Sequence, residues 1–168
     1  DCIKLTKAPD MTKTNALSSI NAIFKGCTSL VDAPVIPDSV LDMSEAFLGD
    51  SNIYTASAFP ESVEDISSAY ADCISLEKAA SIPASVINCD SCYSGCSNLY
   101  GELSINTNTE DCANLLSNAV TSGKTLKLKG KSGRLFEIQQ DSGSRYVTIK
   151  DTEKAEKNAK KLERQNNQ

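Results

Sequence analysis

The sequence contains no histidine and no tryptophan. Without imidazole there is no Ser-His or Cys-His dyad, no histidine acid/base catalysis and no zinc site that uses a ring nitrogen. Aromatics are few, four Phe and five Tyr, so any core must be mostly aliphatic and small. The longest apolar runs span only a few residues, too short for a membrane span. The chain opens at Asp1 without Met or a charged, apolar leader, which suggests a processed product or an excised fragment. What is present suffices for a globular body: 168 residues, 40% hydrophobic and 23% charged, enough for one ordinary domain or two small ones.

Basic residues are scarce in the first three quarters of the chain. Residues 1–123 hold five Lys/Arg against sixteen Asp/Glu, and residues 124–168 hold twelve against six. The sign reverses near Gly123, which marks a composition boundary between an acidic body and a basic tail. A basic tail of this kind is either a solvated face or a segment that docks on an acidic neighbour, such as the body of another copy.

Self-similarity is the strongest signal. Phe24-Lys25-Gly26-Cys27-Thr28-Ser29-Leu30 returns as Phe47-Leu48-Gly49-Asp50-Ser51-Asn52-Ile53, as Tyr70-Ala71-Asp72-Cys73-Ile74-Ser75-Leu76 and as Tyr93-Ser94-Gly95-Cys96-Ser97-Asn98-Leu99. A second signature keeps the same step of 23 residues: Ile36-Pro37-Asp38-Ser39-Val40, Phe59-Pro60-Glu61-Ser62-Val63 and Ile82-Pro83-Ala84-Ser85-Val86. After each proline comes N-cap chemistry, then apolar residues at helical spacing (Val40, Met43, Phe47), then a residue suited to a left-handed end, Gly26, Gly49, Asp72 or Gly95. From the Leu to the next Pro the chain is expected to extend. Each unit therefore reads as a short strand plus a helical turn.

The pattern Ala-Phe-x-Gly-Cys-x-x-Leu followed by Ile-Pro-x-Ser-Val resembles the leucine-rich repeats of the BspA-like, or Treponema-type, family over about residues 20–118. Asp50 replaces the motif Cys in one copy, and nothing after Ser122 matches. The resemblance implies an α/β fold: a right-handed leucine-rich-repeat solenoid of about four to five repeats. It also implies a cell-surface protein that adheres to host matrix proteins or to other cells.

Seven cysteines invite a metal or disulfide reading, but their register favours a core role. Cys27, Cys73 and Cys96 share one column and are expected to be buried and reduced. Cys89 and Cys112 share a column with Ile20, Met43 and Ile66, and Cys92 shares one with Ile23, Ala46, Ala69 and Leu115, so all three read as small core hydrophobes. Disulfides between adjacent repeats stay open, and Cys2 belongs to no column. The single C-x-x-C at Cys89–Cys92, without a second pair, is a poor metal signal.

Beyond the repeats, Leu126 with Leu128, Leu135–Ile138 and Tyr146–Ile149 read as three strands of a β-meander, with turns at 130–133 and 141–144. The expected organisation is a solenoid over 1–122, a strand-built cap over 123–150 and a polar terminal helix over 151–168, capped by Asp151 or Thr152. The basic stretch 124–131 has no interleaved aromatics and reads as a strand, so no nucleic-acid partner is expected. Neither a catalytic set nor a cofactor or metal site is expected. The leading functional expectation is a non-enzymatic extracellular module that binds a protein ligand; a structural subunit of a surface layer, filament or virion is the alternative. By strand alternation the outward columns are Val31, Tyr54, Glu77, Tyr100 and Val35, Ala58, Ser81, Ser104, with the two tyrosines as the leading contacts.

Overall fold

The computed structural model describes residues 2–168. It corrects the expected fold. The leucine-rich-repeat solenoid, with a strand and a helical turn in every repeat, is not formed, and neither is the meander. The regular elements are β1 (Gly101–Ser104), β2 (Leu126–Lys129), α1 (Leu135–Asp141), β3 (Val147–Ile149) and α2 (Thr152–Asn166). The strands form one open sheet of order β1-β2-β3 in which both pairings are parallel. Gly101 pairs with Leu126 and Leu126 with Val147, which sets Leu103 and Leu128 in the core. Parallel strands need crossovers rather than hairpins, and α1 lies in the crossover from β2 to β3. Its segment was expected to be a strand. Leu135 and Ile138 are buried while Phe136 and Glu137 are exposed, so the apolar spacing is three, which suits a helix and not an alternating strand.

Up to residue 100 the described chain consists of turns and isolated bridges. The segments expected to be helical fail to be helices for a local reason. Ala22, Glu45, Ser68, Ser91 and Asn114 have φ of 52–57°, in the left-handed region, and Gly26, Gly49, Asp72 and Gly95, each four residues after one of them, have φ of 59–79°. Left-handed residues interrupt any i→i−4 ladder. The freed amides reach sideways instead. Phe24 N–H donates to Ala46 O, Phe47 to Ala69 O, Tyr70 to Cys92 O and Tyr93 to Leu115 O, at 2.8–3.0 Å. Ala22 donates to Ser44 O and Gly26 to Leu48 O, and later turns repeat the scheme. Polar side chains start each turn: Asp42 and Asp65 accept from the amides of Ser44 and Ser67 at 2.9 and 2.8 Å.

The core runs through these turns. Phe24, Phe47, Tyr70 and Tyr93 are buried and stack in sequence, with ring centres 5.3, 4.9 and 5.9 Å apart and planes within 15° of parallel. Two of these rings also explain why strands are missing. Tyr70 Oη accepts from Ser57 N–H and Tyr93 Oη from Ala80 N–H, both at 2.9 Å, so neither amide serves a ladder. Thirteen residues before Phe47, which has no hydroxyl, stands Pro34, which has no N–H. Thirteen before Leu116 stands Leu103, and there the backbone is free to pair as β1. The two tyrosine–amide pairs thus share one spacing of thirteen residues.

Cys27, Cys73 and Cys96 are buried and free, in one column. Cys89 and Cys112, expected to be plain core residues, are joined by a disulfide across adjacent turns, with Cα atoms 4.7 Å apart. Among the described residues no helix is long and apolar enough to cross a membrane.

Candidate interaction surface

The column Val31, Tyr54, Glu77, Tyr100 reaches the surface as one line. Glu77 N–H donates to Tyr54 O at 2.8 Å and Tyr100 N–H to Glu77 O at 3.1 Å, so these residues are lateral neighbours. Tyr54 is 52% exposed and Val31 is exposed, while Glu77 and Tyr100 are half-buried. The last two are engaged with each other: Tyr100 Oη donates to Glu77 Oε2 at 3.2 Å, and the carboxylate pushes the phenol's pKa up. Lys124 closes the line, its Nζ 4.3 Å from the Tyr100 ring centre and 3.9 Å from Glu77 Oε1. Tyr54 is thus the tyrosine whose side chain stays open to a partner.

In the second column Val35, Ala58 and Ser81 are exposed and Ser104 is half-buried. Val35 is 71% exposed, more than any other large apolar residue described, and it separates two shallow clefts. One, of about 350 Å³, lies among Pro34, Ala58, Phe59 and Pro60. The other, of about 360 Å³, lies among Thr12, Asn15, Pro37 and Ser39. Two prolines and Phe59 make the first wall rigid and apolar.

At the far end of this column Ser104 borders a cavity of about 390 Å³ lined by Lys129, Lys131, Lys150 and Lys154. Glu102 bridges two of these lysines, accepting from Lys129 Nζ at 2.6 Å and from Lys150 Nζ. The hydrogen bond from Lys129, then that from Lys150, holds its carboxyl down at about 2. Asp151 Oδ1 accepts from Lys154 N–H at 2.9 Å and caps α2. The face therefore grades from apolar at Val31 and Val35 to basic beyond Ser104.

Sequence reasoning missed the lysine cavity, because its residues lie on or just after β1, β2 and β3 and at the start of α2, and meet only through the parallel sheet. The charge reversal near Gly123 was the available signal. It also missed a second exposed apolar column: Leu41 and Ile87 flank Glu64, joined by Glu64 N–H to Leu41 O and Ile87 N–H to Glu64 O at 2.8 Å each.

The groups whose proton affinity is displaced furthest lie in the core. Burial pushes the thiols of Cys73, Cys92 and Cys96 and the phenols of Tyr70 and Tyr93 upward. Asp50, fully buried in the cysteine column, accepts from Cys27 N–H at 2.6 Å through Oδ1, while Oδ2 has no partner. Its burial raises its pKa to about 7, an effect larger than the opposing Cys27 hydrogen bond. Among the described residues no group of three or more Cys, Asp or Glu is placed to hold a metal ion. No family model, curated protein or solved structure matches the chain.

Proposed function

We propose that this protein is a non-enzymatic binding module that engages a protein ligand through the face carrying Val31, Val35, Tyr54 and Ala58. The observation that carries this reading is the pairing of an open tyrosine, Tyr54, with the protruding Val35 between two clefts. Amphipathic aromatics beside apolar clefts suit protein contact. Glu77, Ser81, Tyr100 and Ser104 continue the same two columns toward the lysines and would contribute a polar rim. A non-enzymatic role fits the burial of Asp50, Cys73, Cys92 and Cys96, whose displaced groups are sealed in the core where a substrate does not reach them. Display outside the cell fits the Cys89–Cys112 disulfide, since such bonds persist in oxidising compartments. The resemblance to the BspA-like repeats points the same way, toward adhesion to matrix proteins.

The test is binding of the purified protein to a panel of immobilised extracellular-matrix proteins. Val35→Asp and Tyr54→Ala should each weaken capture about tenfold or more, while Ile87→Asp on the other column leaves it intact. Binding that survives both substitutions, or that Ile87→Asp abolishes, overturns the assignment of this face.

A second reading, a subunit of a surface layer, filament or virion, is favoured by the charge asymmetry: an acidic body and a lysine-lined cavity in one chain. Light scattering separates the two. Oligomers that dissolve as salt rises support assembly, and a monomer indifferent to salt supports a displayed module.

A further inference from the structure

We propose that Cys2 and Cys27 form a second intramolecular disulfide, which fastens the start of the chain onto the first turn. The cysteine column sets the geometry. Cys73 Sγ donates to Phe47 O at 3.1 Å and Cys96 Sγ to Tyr70 O at 3.0 Å, each reaching backbone 26 residues earlier. The turn closed by Leu5 N–H on Cys2 O repeats the one closed by Leu30 N–H on Cys27 O, both at 2.9 Å, so Cys2 holds the place of Cys27 one turn earlier. The parallel bridge between Lys7 and Asp32, 25 residues apart, holds the two turns side by side in that register. Independent contacts hold the segment in place. Ser29 Oγ donates to Ile3 O, and Leu5 N–H donates to Cys2 O at 2.9 Å. Cys27 differs from its column mates in having an exposed cysteine, Cys2, as its neighbour in the row.

The two thiols differ in access, and this orders the chemistry. Cys2 is exposed and Cys27 is 1% exposed. The Cys2 thiolate attacks one sulfur of a low-molecular-weight disulfide, such as oxidised glutathione, and expels one thiolate. The deprotonated Cys27 thiol then attacks the Cys2 sulfur of the mixed disulfide and expels the second. Two protein thiols are oxidised, one small disulfide is reduced to two thiols, and the two protons pass to the leaving thiolates. Burial raises the Cys27 thiol, so the second step is the slower one. With this bond closed, the remaining free thiols are Cys73, Cys92 and Cys96, all buried. The inference is independent of the binding reading, since neither sulfur lies on the proposed face.

The test uses the full chain equilibrated with reduced and oxidised glutathione. It is denatured and alkylated without reductant, then reduced and labelled with a second, isotopically distinct reagent. Double digestion at Lys/Arg and at Glu separates Cys27 from Cys73. Cys2 and Cys27 should carry only the second label, as Cys89 and Cys112 do, and unreduced digests should contain the peptide pair linked. Cys2→Ser should then transfer Cys27 to the first label. First label on Cys2 and Cys27 in the wild-type chain, or Cys2 linked to another chain, overturns the proposal.

Discussion

Two halves of this molecule solve the same problem with different backbones. From residue 101 onward, β1, β2, β3 and the two helices satisfy their amides by the regular ladders of strands and helices. Before it, the turns set left-handed residues four apart and satisfy amides in neighbouring turns about 22 residues away. The difference shows that a repeating sequence needs no repeating helix or strand. A column of identical partners suffices. It also predicts where the halves are vulnerable: the first depends on its columns, and the second on its secondary structure.

The harshest way to break the first half is to remove a ring from the stack. Phe47→Ala takes a fully buried side chain from between Phe24 and Tyr70 and should cost about 3–5 kcal/mol, read as a drop in the urea midpoint. A near-neutral result would mean that the turns do not depend on the aromatic column.

Asp50 offers a nearly equal effect under control of pH. Its folded pKa of about 7 exceeds the ordinary 3.8, so the folded state binds the proton more tightly. Its contribution is complete below pH 4, falls as pH rises from 4 to 7 and stays lost above. The span is worth about 4 kcal/mol. Urea titrations across that range, compared between wild type and Asp50→Asn, should show the slope in the first and its loss in the second. Parallel curves would place the carboxyl in contact with water.

The smallest effect sharpens the comparison. Tyr93→Phe leaves Ala80 N–H without its acceptor, and Ala80 O without the phenol that donates to it at 2.9 Å. A cost of about 1–3 kcal/mol is expected by thermal or chemical melting. Leu116→Phe, facing β1 where the ladder already holds the amide, should show no such hydrogen-bond penalty. If both mutants lost hydrogen-exchange protection at residues 80 and 103 equally, the ring-to-amide match would be wrong.

The columns and the terminal helix were legible in the sequence, and the backbone of the turns was not. Phe24, Phe47, Tyr70 and Tyr93 announced their burial through the fixed step, and Cys27, Cys73 and Cys96 their common row. Spacings of three and four at Val40, Met43 and Phe47 fit a helix, yet linked turns satisfy them equally. The left-handed positions that decide between the two are Ala22, Glu45, Ser68 and Ser91, and none is a glycine. Proline was read as the end of a strand. Its deeper role at Pro34, opposite a ring without a hydroxyl, requires knowing that residues thirteen apart face each other. On the candidate surface, alternation brought Tyr54 and Val35 outward, but the locking of Tyr100 by Glu77 and Lys124 depends on a lateral register that only the coordinates supply.

The sideways amides of the turns have an electrical consequence. At Ile20, Ala22, Phe24 and Gly26, and again in each of the next three turns, every such N–H points to the following turn and every accepting carbonyl points back. Peptide dipoles that all point one way along the stack add instead of cancelling. Their sum puts positive potential toward the end that carries the surplus of lysines. At that end backbone and side chains share one sign, so an acidic partner would meet a molecule already oriented by its own field before any side chain makes contact.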